Sequence, residues 1–358
     1  MKYNFGAGPC MLAKEVFEEA SQAVINFNNT GLSILEISHR SKEFEEVVAE
    51  TEALVRKLLK VPSTHEILFL QGGASTQFAL VPLNLLPVDG MAAYLDTGIW
   101  ANKAIQEARI IGRVEIVDSS SFSAYNFIPK DYTIPSAASY FHYTSNNTIC
   151  GTEMFDPPQA GVPLVCDMSS DIFSRSINVA DFGLIYAGAQ KNTGPAGMTL
   201  VIIQKDLLGK TKRALPAIFD YQTHIASKSM YNTPAVYAMY VAMLNLRWLV
   251  KKGGIQAIEQ ANIIKAQTLY NEIDNNPLFK GTACVEDRSR MNITFTAKSV
   301  ELGKEFADFA RKRGVVGIEG HRLVGGFRAS LYNALDLSMV NALTDIMKEF
   351  SEENQIKF

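Results

Sequence analysis

Between residues 67 and 203 short apolar runs alternate with helical patterns, and this alternation limits the chain to few folds. ILFL (67–70), a Gly-rich turn, a helical pattern from about Thr76, AAYL (92–95), a helix over Trp100 to Ile111 and VEIV (114–117) follow one another. Runs that short, separated by 3.6-period segments, read as βαβ units and a parallel sheet. Further strand-like runs stand at SYFHY (139–143), PLVC (163–166), LIYA (184–187) and MTLVII (198–203), with polar or glycine-bearing loops after them. In open α/β sheets ligands bind at that carboxyl edge. Upstream, an irregular GAGP segment precedes helical patterns at Glu15–Phe27 and Lys42–Leu59, with a loop-like stretch between them. Downstream, long helical patterns at Pro234–Lys252 and Ile255–Ile273 break the alternation. MNITFTA, GFRASLY and two flanking helices then complete a smaller α+β lobe. The expected division is a large unit over 16–261 and a small one over 262–358 together with 1–15.

The sequence has 358 residues, 47% hydrophobic and 20% charged, so it can bury sizeable cores. Its formal charge of −3 offers no basic field for nucleic acid or an anionic membrane, and any anion site must be local. The longest apolar run, Pro234 to Leu244, falls well short of the roughly 20 residues that span a bilayer. The opening MKYNFGAGPC lacks the apolar core of a signal peptide. Cys10, Cys150, Cys166 and Cys284 form no C-x-x-C pair, which argues against zinc and against a disulfide framework. A reducing cytoplasm is the expected location, with no metal site.

The most informative stretch is LIYAGAQKNTGPAGMTLVII, where Lys191 sits in a loop of small residues between two strands. Glycines allow close backbone approach to a ligand. A lysine with little charge around it can be partly desolvated, which lowers its pKa and frees the amine for Schiff-base chemistry. A solvated loop lysine is the ordinary alternative. Asp167 closes PLVC at the same expected sheet edge, where a carboxylate could protonate a pyridine nitrogen, or simply cap the next turn. QGGASTQF (71–78) opens a helix after a strand and suits phosphate, although it is not a nucleotide P-loop. GAGPCM fails G-x-G-x-x-G because Met11 stands where the third glycine belongs. Trp100 could stack on a planar cofactor or belong to the core. The pairs His39-Arg40 and His321-Arg322 offer donors to a phosphate, and the arginines could equally be solvated. Arg328, inside the apolar pattern GFRASLY, requires a partner.

Taken together, NFGAGPCML, SHRSKEF, QGGASTQF, YAGAQKNTGPAG, MYNTP and GHRLVGGFRASLYNA resemble the phosphoserine aminotransferase family, pyridoxal-phosphate enzymes of fold type I and class V. The motifs run in order through nearly the whole chain. The resemblance implies an α/β fold type I transferase with pyridoxal 5'-phosphate as cofactor. It implies Lys191 as the Schiff-base lysine, Asp167 on the pyridinium nitrogen, Trp100 on the ring and Thr148 near the ring hydroxyl. Ala74, Ser75 and Gln190, with Asn232 and Thr233 from a second subunit, would hold the cofactor phosphate. His39, Arg40, His321 and Arg322 would meet a substrate phosphate, and Arg328 an α-carboxylate. Some members read GGGRGQF where this chain has GGASTQF, placing an arginine at the position of Ser75. The implied reaction moves an amino group between L-glutamate and 3-phosphohydroxypyruvate, giving O-phospho-L-serine and 2-oxoglutarate. The related 4-phosphohydroxy-L-threonine step of vitamin B6 synthesis is implied as well. Other class-V transaminases, a cysteine desulfurase and a non-catalytic phosphate- or nucleotide-binding protein of the same sheet type are the alternatives.

Overall fold

The computed structural model describes residues 2–321 and 324–355. In chain order its elements are β1 (Tyr3–Asn4), α1 (Lys14–Ile25), α2 (Lys42–Leu59), β2 (His65–Leu70), α3 (Gly73–Leu85), β3 (Met91–Asp96), α4 (Ile99–Ile111) and β4 (Arg113–Ser119). Next come β5 (Phe141–Thr144), β6 (Asn146–Asn147), β7 (Thr152–Glu153), β8 (Leu164–Asp167), β9 (Leu184–Gly188), β10 (Thr199–Gln204), α5 (Tyr221–Ala226), α6 (Val236–Lys251) and α7 (Gly254–Asn275). The chain closes with β11 (Phe279–Gly281), β12 (Asn292–Ala297), α8 (Val300–Lys312), β13 (Val315–Val316), β14 (Phe327–Ser330) and α9 (Leu337–Gln355).

The large sheet has seven strands in the order β2-β10-β9-β8-β5-β3-β4. Strands β4, β3, β5, β8 and β9 are joined by parallel pairings, whereas β10 is antiparallel to both its neighbours. The expected parallel sheet is therefore mainly, not wholly, parallel. The reason lies in the connection: residues 189–198 leave no room for the crossover that a parallel return needs, so the chain doubles back. That short return carries Lys191.

Helices α1, α2 and α6 cover one face of this sheet, and α3 and α4 cover the other. Helix α2 starts where Ser41 accepts the Phe44 N–H, carries Glu43 and Glu45 in its first turn, and has Arg56 and Lys57 in its last. It buries Phe44, Val47, Val55 and Leu58 against the core that also receives α6. Helix α6 is buried around nearly its whole circumference, from Ala238 to Leu246, which explains the longest apolar run without a bilayer. Among the described residues no helix is long and apolar enough to cross a membrane. A second sheet, β11-β12-β14, is antiparallel and packs with α7, α8 and α9 around Phe279, Phe295, Phe306 and Phe350. Strand β1 pairs in parallel with β13, Tyr3 opposite Val315.

Candidate active site

Strands β4 and β5 flank β3 on opposite sides, so the chain reverses its direction of growth beside β3 and a crevice opens at the carboxyl ends of β3 and β5. Trp100, in the first turn of α4 after β3, and Thr148, after β5, face each other across it. The indole Nε1 donates to Thr148 Oγ1 at 3.1 Å. Lys103 Nζ lies 4.7 Å from the centre of the Trp100 ring on one face, so a planar ligand has the opposite face on which to stack.

Asp167 ends β8, next to β9 and the Lys191 loop. Asp167 Oδ1 accepts the Ser169 N–H at 2.9 Å. Burial pushes the Asp167 carboxyl up, while Lys191 and the hydrogen bond from Ser169 hold it down. For Lys191 burial lowers the pKa, Asp167 opposes that shift and Arg328 adds to it. The Lys191 amine takes part in no hydrogen bond or ion pair among the described residues. Its backbone, by contrast, is held on several sides. Asn245 Nδ2 donates to the carbonyls of Asn192 and Thr193 at 2.9 and 3.0 Å. The Cys10 N–H donates to the Gln190 carbonyl at 3.0 Å, and the Cys10 thiol donates to the Lys191 carbonyl. A fixed peptide with an unengaged amine is what a covalent attachment point requires. Thr144, register partner of Asp167, has its Oγ1 buried without a partner.

Arg328 lies on β14 opposite Thr294 and reaches out of the second sheet toward the crevice. Its Nη1 donates to the Thr148 carbonyl at 3.0 Å, Nε is buried without a partner, and no carboxylate of the described residues pairs with it. The partner that the apolar pattern demanded is thus a main-chain carbonyl, which leaves the charge uncompensated. Burial lowers its pKa. Arg328 and His321 line one cavity of about 340 Å³ with Cys150 and Thr294.

The turn into α3 begins at Gly72 and Gly73, both left-handed with φ 92° and 68°. A Cβ on Gly72 would stand 2.0 Å from Thr76 Oγ1, so only glycine fits. This turn lets α3 start at Gly73, three residues before the expected Thr76, and no side chain caps its first turn. The N–H groups around Ala74 and Ser75 are therefore available to an anion. Gln190 folds back on the end of β9, where a Cβ on Gly188 would sit 2.7 Å from its Oε1. Asn232 and Thr233 are exposed, and the Thr233 carbonyl accepts from Gln71 Nε2 at 2.8 Å, beside the entrance to α3.

Trp100, Thr148 and Arg328 are thus linked by hydrogen bonds, and Arg328, Lys191 and Asp167 by charge, with Gln190 next to Lys191 in the chain. His39 and Arg40 stand just before α2 and make no hydrogen bond or ion pair with that group. Arg40 is exposed, and His39 Nε2 is buried without a partner. Arg322 lies outside the described residues. Three supporting residues escape a reading of the sequence. Ser169 and Asn192 leave a faint signal, as polar residues beside Asp167 and Lys191. Cys10 leaves none, being 181 positions from its acceptor. Three of the cysteines are not activated nucleophiles: burial pushes Cys10 up to about 12 and Cys150 up to about 11, and Cys166 is raised as well.

An unengaged amine, a buried carboxylate, an indole face, an uncapped helix N-terminus and the unpartnered Thr144 hydroxyl together fit pyridoxal phosphate. Residues 2–343 match the aminotransferase class-V family. A phosphoserine aminotransferase of Flavobacterium johnsoniae is 54% identical over 348 residues, covering 97% of this chain and 98% of its own. That of Bacteroides thetaiotaomicron is 53% identical, covering 98% and 99%. Among solved structures, phosphoserine aminotransferase from Bacillus circulans subsp. alkalophilus superposes with a TM-score of 0.96 at 43% identity, over 99% of each chain. The pyridoxal-phosphate-bound enzyme of Trichomonas vaginalis gives 0.93 at 38%, over 97% of this chain and all of its own. With matches of this extent, the chain belongs to the class-V aminotransferase family.

Proposed function

We propose that this chain is a pyridoxal-phosphate-dependent phosphoserine aminotransferase, which passes the amino group of L-glutamate to 3-phosphohydroxypyruvate and yields O-phospho-L-serine and 2-oxoglutarate. The 4-phosphohydroxy-L-threonine step of vitamin B6 synthesis belongs to the same reading, as do a cytoplasmic location and a homodimer. So does the division of the chain near Ala261. The observation that carries the proposal is the unengaged amine of Lys191 beside the buried carboxylate of Asp167. The names of the relatives at 53–54% identity support the substrate.

When bound, pyridoxal phosphate supplies a carbonyl carbon for amine exchange and a ring that accepts electrons from the substrate Cα. Lys191 Nζ, whose pKa burial lowers toward the neutral amine, would anchor the cofactor at rest. Freed from that attachment by an incoming amine, the same nitrogen would be the base that takes the substrate Cα proton and the acid that gives it back. Asp167 would hold a proton on the ring nitrogen, which requires its carboxylate to stay charged despite burial; the hydrogen bonds from Ser169 favour that form. Trp100 would stack on the ring, and Thr148, whose hydroxyl accepts the indole N–H, would meet the ring hydroxyl. Ala74, Ser75 and Gln190 hold the cofactor phosphate, joined by Asn232 and Thr233 of a neighbouring subunit. Arg328 clamps the α-carboxylate common to all four substrates. His39, Arg40, His321 and Arg322 receive the substrate phosphate, or the side-chain carboxylate of glutamate in its turn. The test is a transamination assay of the purified protein with glutamate and each phosphorylated oxo acid. Turnover of 3-phosphohydroxypyruvate well above that of pyruvate supports the reading. Equal turnover of the two would overturn the assignment of substrate.

A further inference from the structure

Midway along α7 the helix leaves one hydrophobic cluster and enters another. Ile255 and Ile258 pack into the core of the large sheet, and Ala266, Leu269 and Ile273 into that of the small one. At the changeover stand two buried polar side chains, Asn262 and Lys265, each 2% exposed. A buried ammonium ordinarily faces a carboxylate. Lys265 Nζ instead donates to two main-chain carbonyls, those of Leu331 at 2.9 Å and Tyr332 at 3.0 Å, and forms no ion pair among the described residues. Burial lowers its pKa to about 7, only partly opposed by Asp336. Such a group is costly in a core that methionine could fill, so its hydrogen bonds call for a reason. Asn262 Nδ2 works beside it, donating to the Ser174 carbonyl at 3.0 Å and to Asn333 Oδ1 at 2.9 Å.

The segment held in this way, Leu331 to Asn333, directly continues β14, the strand that carries Arg328. Its other side grips the Lys191 loop. The Asn333 N–H donates to Asn192 Oδ1 at 3.1 Å. Tyr332 Oη donates to the Ala7 carbonyl at 2.9 Å, three residues before Cys10 engages the carbonyls of Gln190 and Lys191. Arg328 and Lys191 therefore come from different cores but share one short peptide as their reference.

We infer that Lys265 is a positioning residue: by fixing the Leu331 and Tyr332 carbonyls it sets Arg328, and with it a bound α-carboxylate, in register with Lys191. The inference rests on the α-carboxylate role proposed above for Arg328. A methionine at 265 fills the same volume but leaves the Leu331 carbonyl without a donor and the Tyr332 carbonyl with the Leu335 N–H alone, at 3.0 Å, and β14 can then drift relative to the loop. Geometry of this kind matters because a misplacement of about 1 Å can cost a hundredfold in rate.

The test uses the holoenzyme and equilibrium binding of α-methylglutamate, which bears the α-carboxylate but has no Cα hydrogen to lose, read from the cofactor absorbance. Lys265→Met should weaken this ligand about tenfold or more, while the affinities for pyridoxal phosphate and for inorganic phosphate stay within about twofold. Lys265→Gln, which keeps two N–H donors on a shorter stem, should fall between. If Lys265→Met does not fold, the same comparison is made with Lys265→Gln. Unchanged α-methylglutamate affinity, or equal weakening of all three ligands, overturns the inference. Arg328→Leu run alongside separates the two claims: if it too leaves α-methylglutamate unaffected, the α-carboxylate role itself has failed.

Discussion

Replacing Arg328 by leucine removes a cation that the second sheet presents to the crevice while keeping most of its apolar stem volume. Among the described residues its guanidinium makes a single hydrogen bond, to the Thr148 carbonyl, and faces no acid. Burial has already stripped part of its water, as its lowered pKa records. A carboxylate arriving there meets a fork with free donors in a weakly screened setting. Loss of one partner from such a pair costs about 2–5 kcal/mol, which corresponds to roughly thirty-fold to several-thousand-fold in affinity. Glutamate, phosphoserine and both oxo acids carry the same α-carboxylate, so kcat/KM should fall by similar factors in both half-reactions. Arg328→Lys, which keeps the charge but not the planar fork, should lie between. Cofactor binding should change little, because the indole bond to Thr148 Oγ1 is separate from the bond to its carbonyl. Rapid-mixing single turnovers with phosphoserine and with glutamate measure each factor. A fall of less than about threefold in either direction, or a large fall with one amino acid only, would refute the assignment.

Asp167→Asn keeps the shape and the Ser169 contact but loses the charge; the half-reaction rate should drop by about a hundredfold or more with the cofactor still bound, and a near-normal rate would refute the role. Arg40→Ala and Arg322→Ala should each reduce kcat/KM for phosphoserine about tenfold more than for plain serine, whereas equal losses would make these arginines structural. Mixing inactive Lys191→Ala protein with inactive Asn232→Ala, Thr233→Ala protein should restore part of the activity, since one hybrid site then carries neither lesion; no recovery despite demonstrated subunit exchange would count against a shared site. Lys265 binds its proton less tightly in the folded chain, at about 7, than an ordinary lysine does unfolded. The unfolded chain therefore holds more protons above neutrality, and this group's contribution to stability rises with pH. Heated between pH 7 and pH 9, the native protein should gain Tm relative to Lys265→Met, and parallel curves would show that Lys265 does not titrate there.

Much of the architecture was legible because strand and helix periods differ. The runs ILFL, AAYL, PLVC and LIYA all became strands of the large sheet, and the helical pattern over Lys42–Leu59 matches α2. The direction of MTLVII was not legible from its own residues. It depends on the length of the connection before it, which is too short for a crossover. Likewise the start of α3 was placed late, because two left-handed glycines begin the helix at once where a pattern of apolar residues shows only its later turns. The strand end at Asp167 and its spacing to Lys191 put both at one sheet edge, and the structure has Asp167 ending β8 and Lys191 in the loop that follows the neighbouring β9. Long-range main-chain contacts were beyond reach. Lys265 reads as an ordinary helix lysine, since nothing in its neighbours announces two carbonyls arriving from 66 and 67 residues away. Arg328 shows the middle case: its apolar surroundings demanded a partner, but only the fold identifies that partner as the carbonyl of Thr148.

The central claim, that Lys191 bears the cofactor, is tested most directly by loading the protein with pyridoxal phosphate, reducing it with borohydride and mapping the modified peptide by mass spectrometry. The account predicts one pyridoxyl group per chain, on Lys191, and none on the Lys191→Ala variant treated in parallel. A label on another lysine, or equal labelling of native and variant protein, would contradict it.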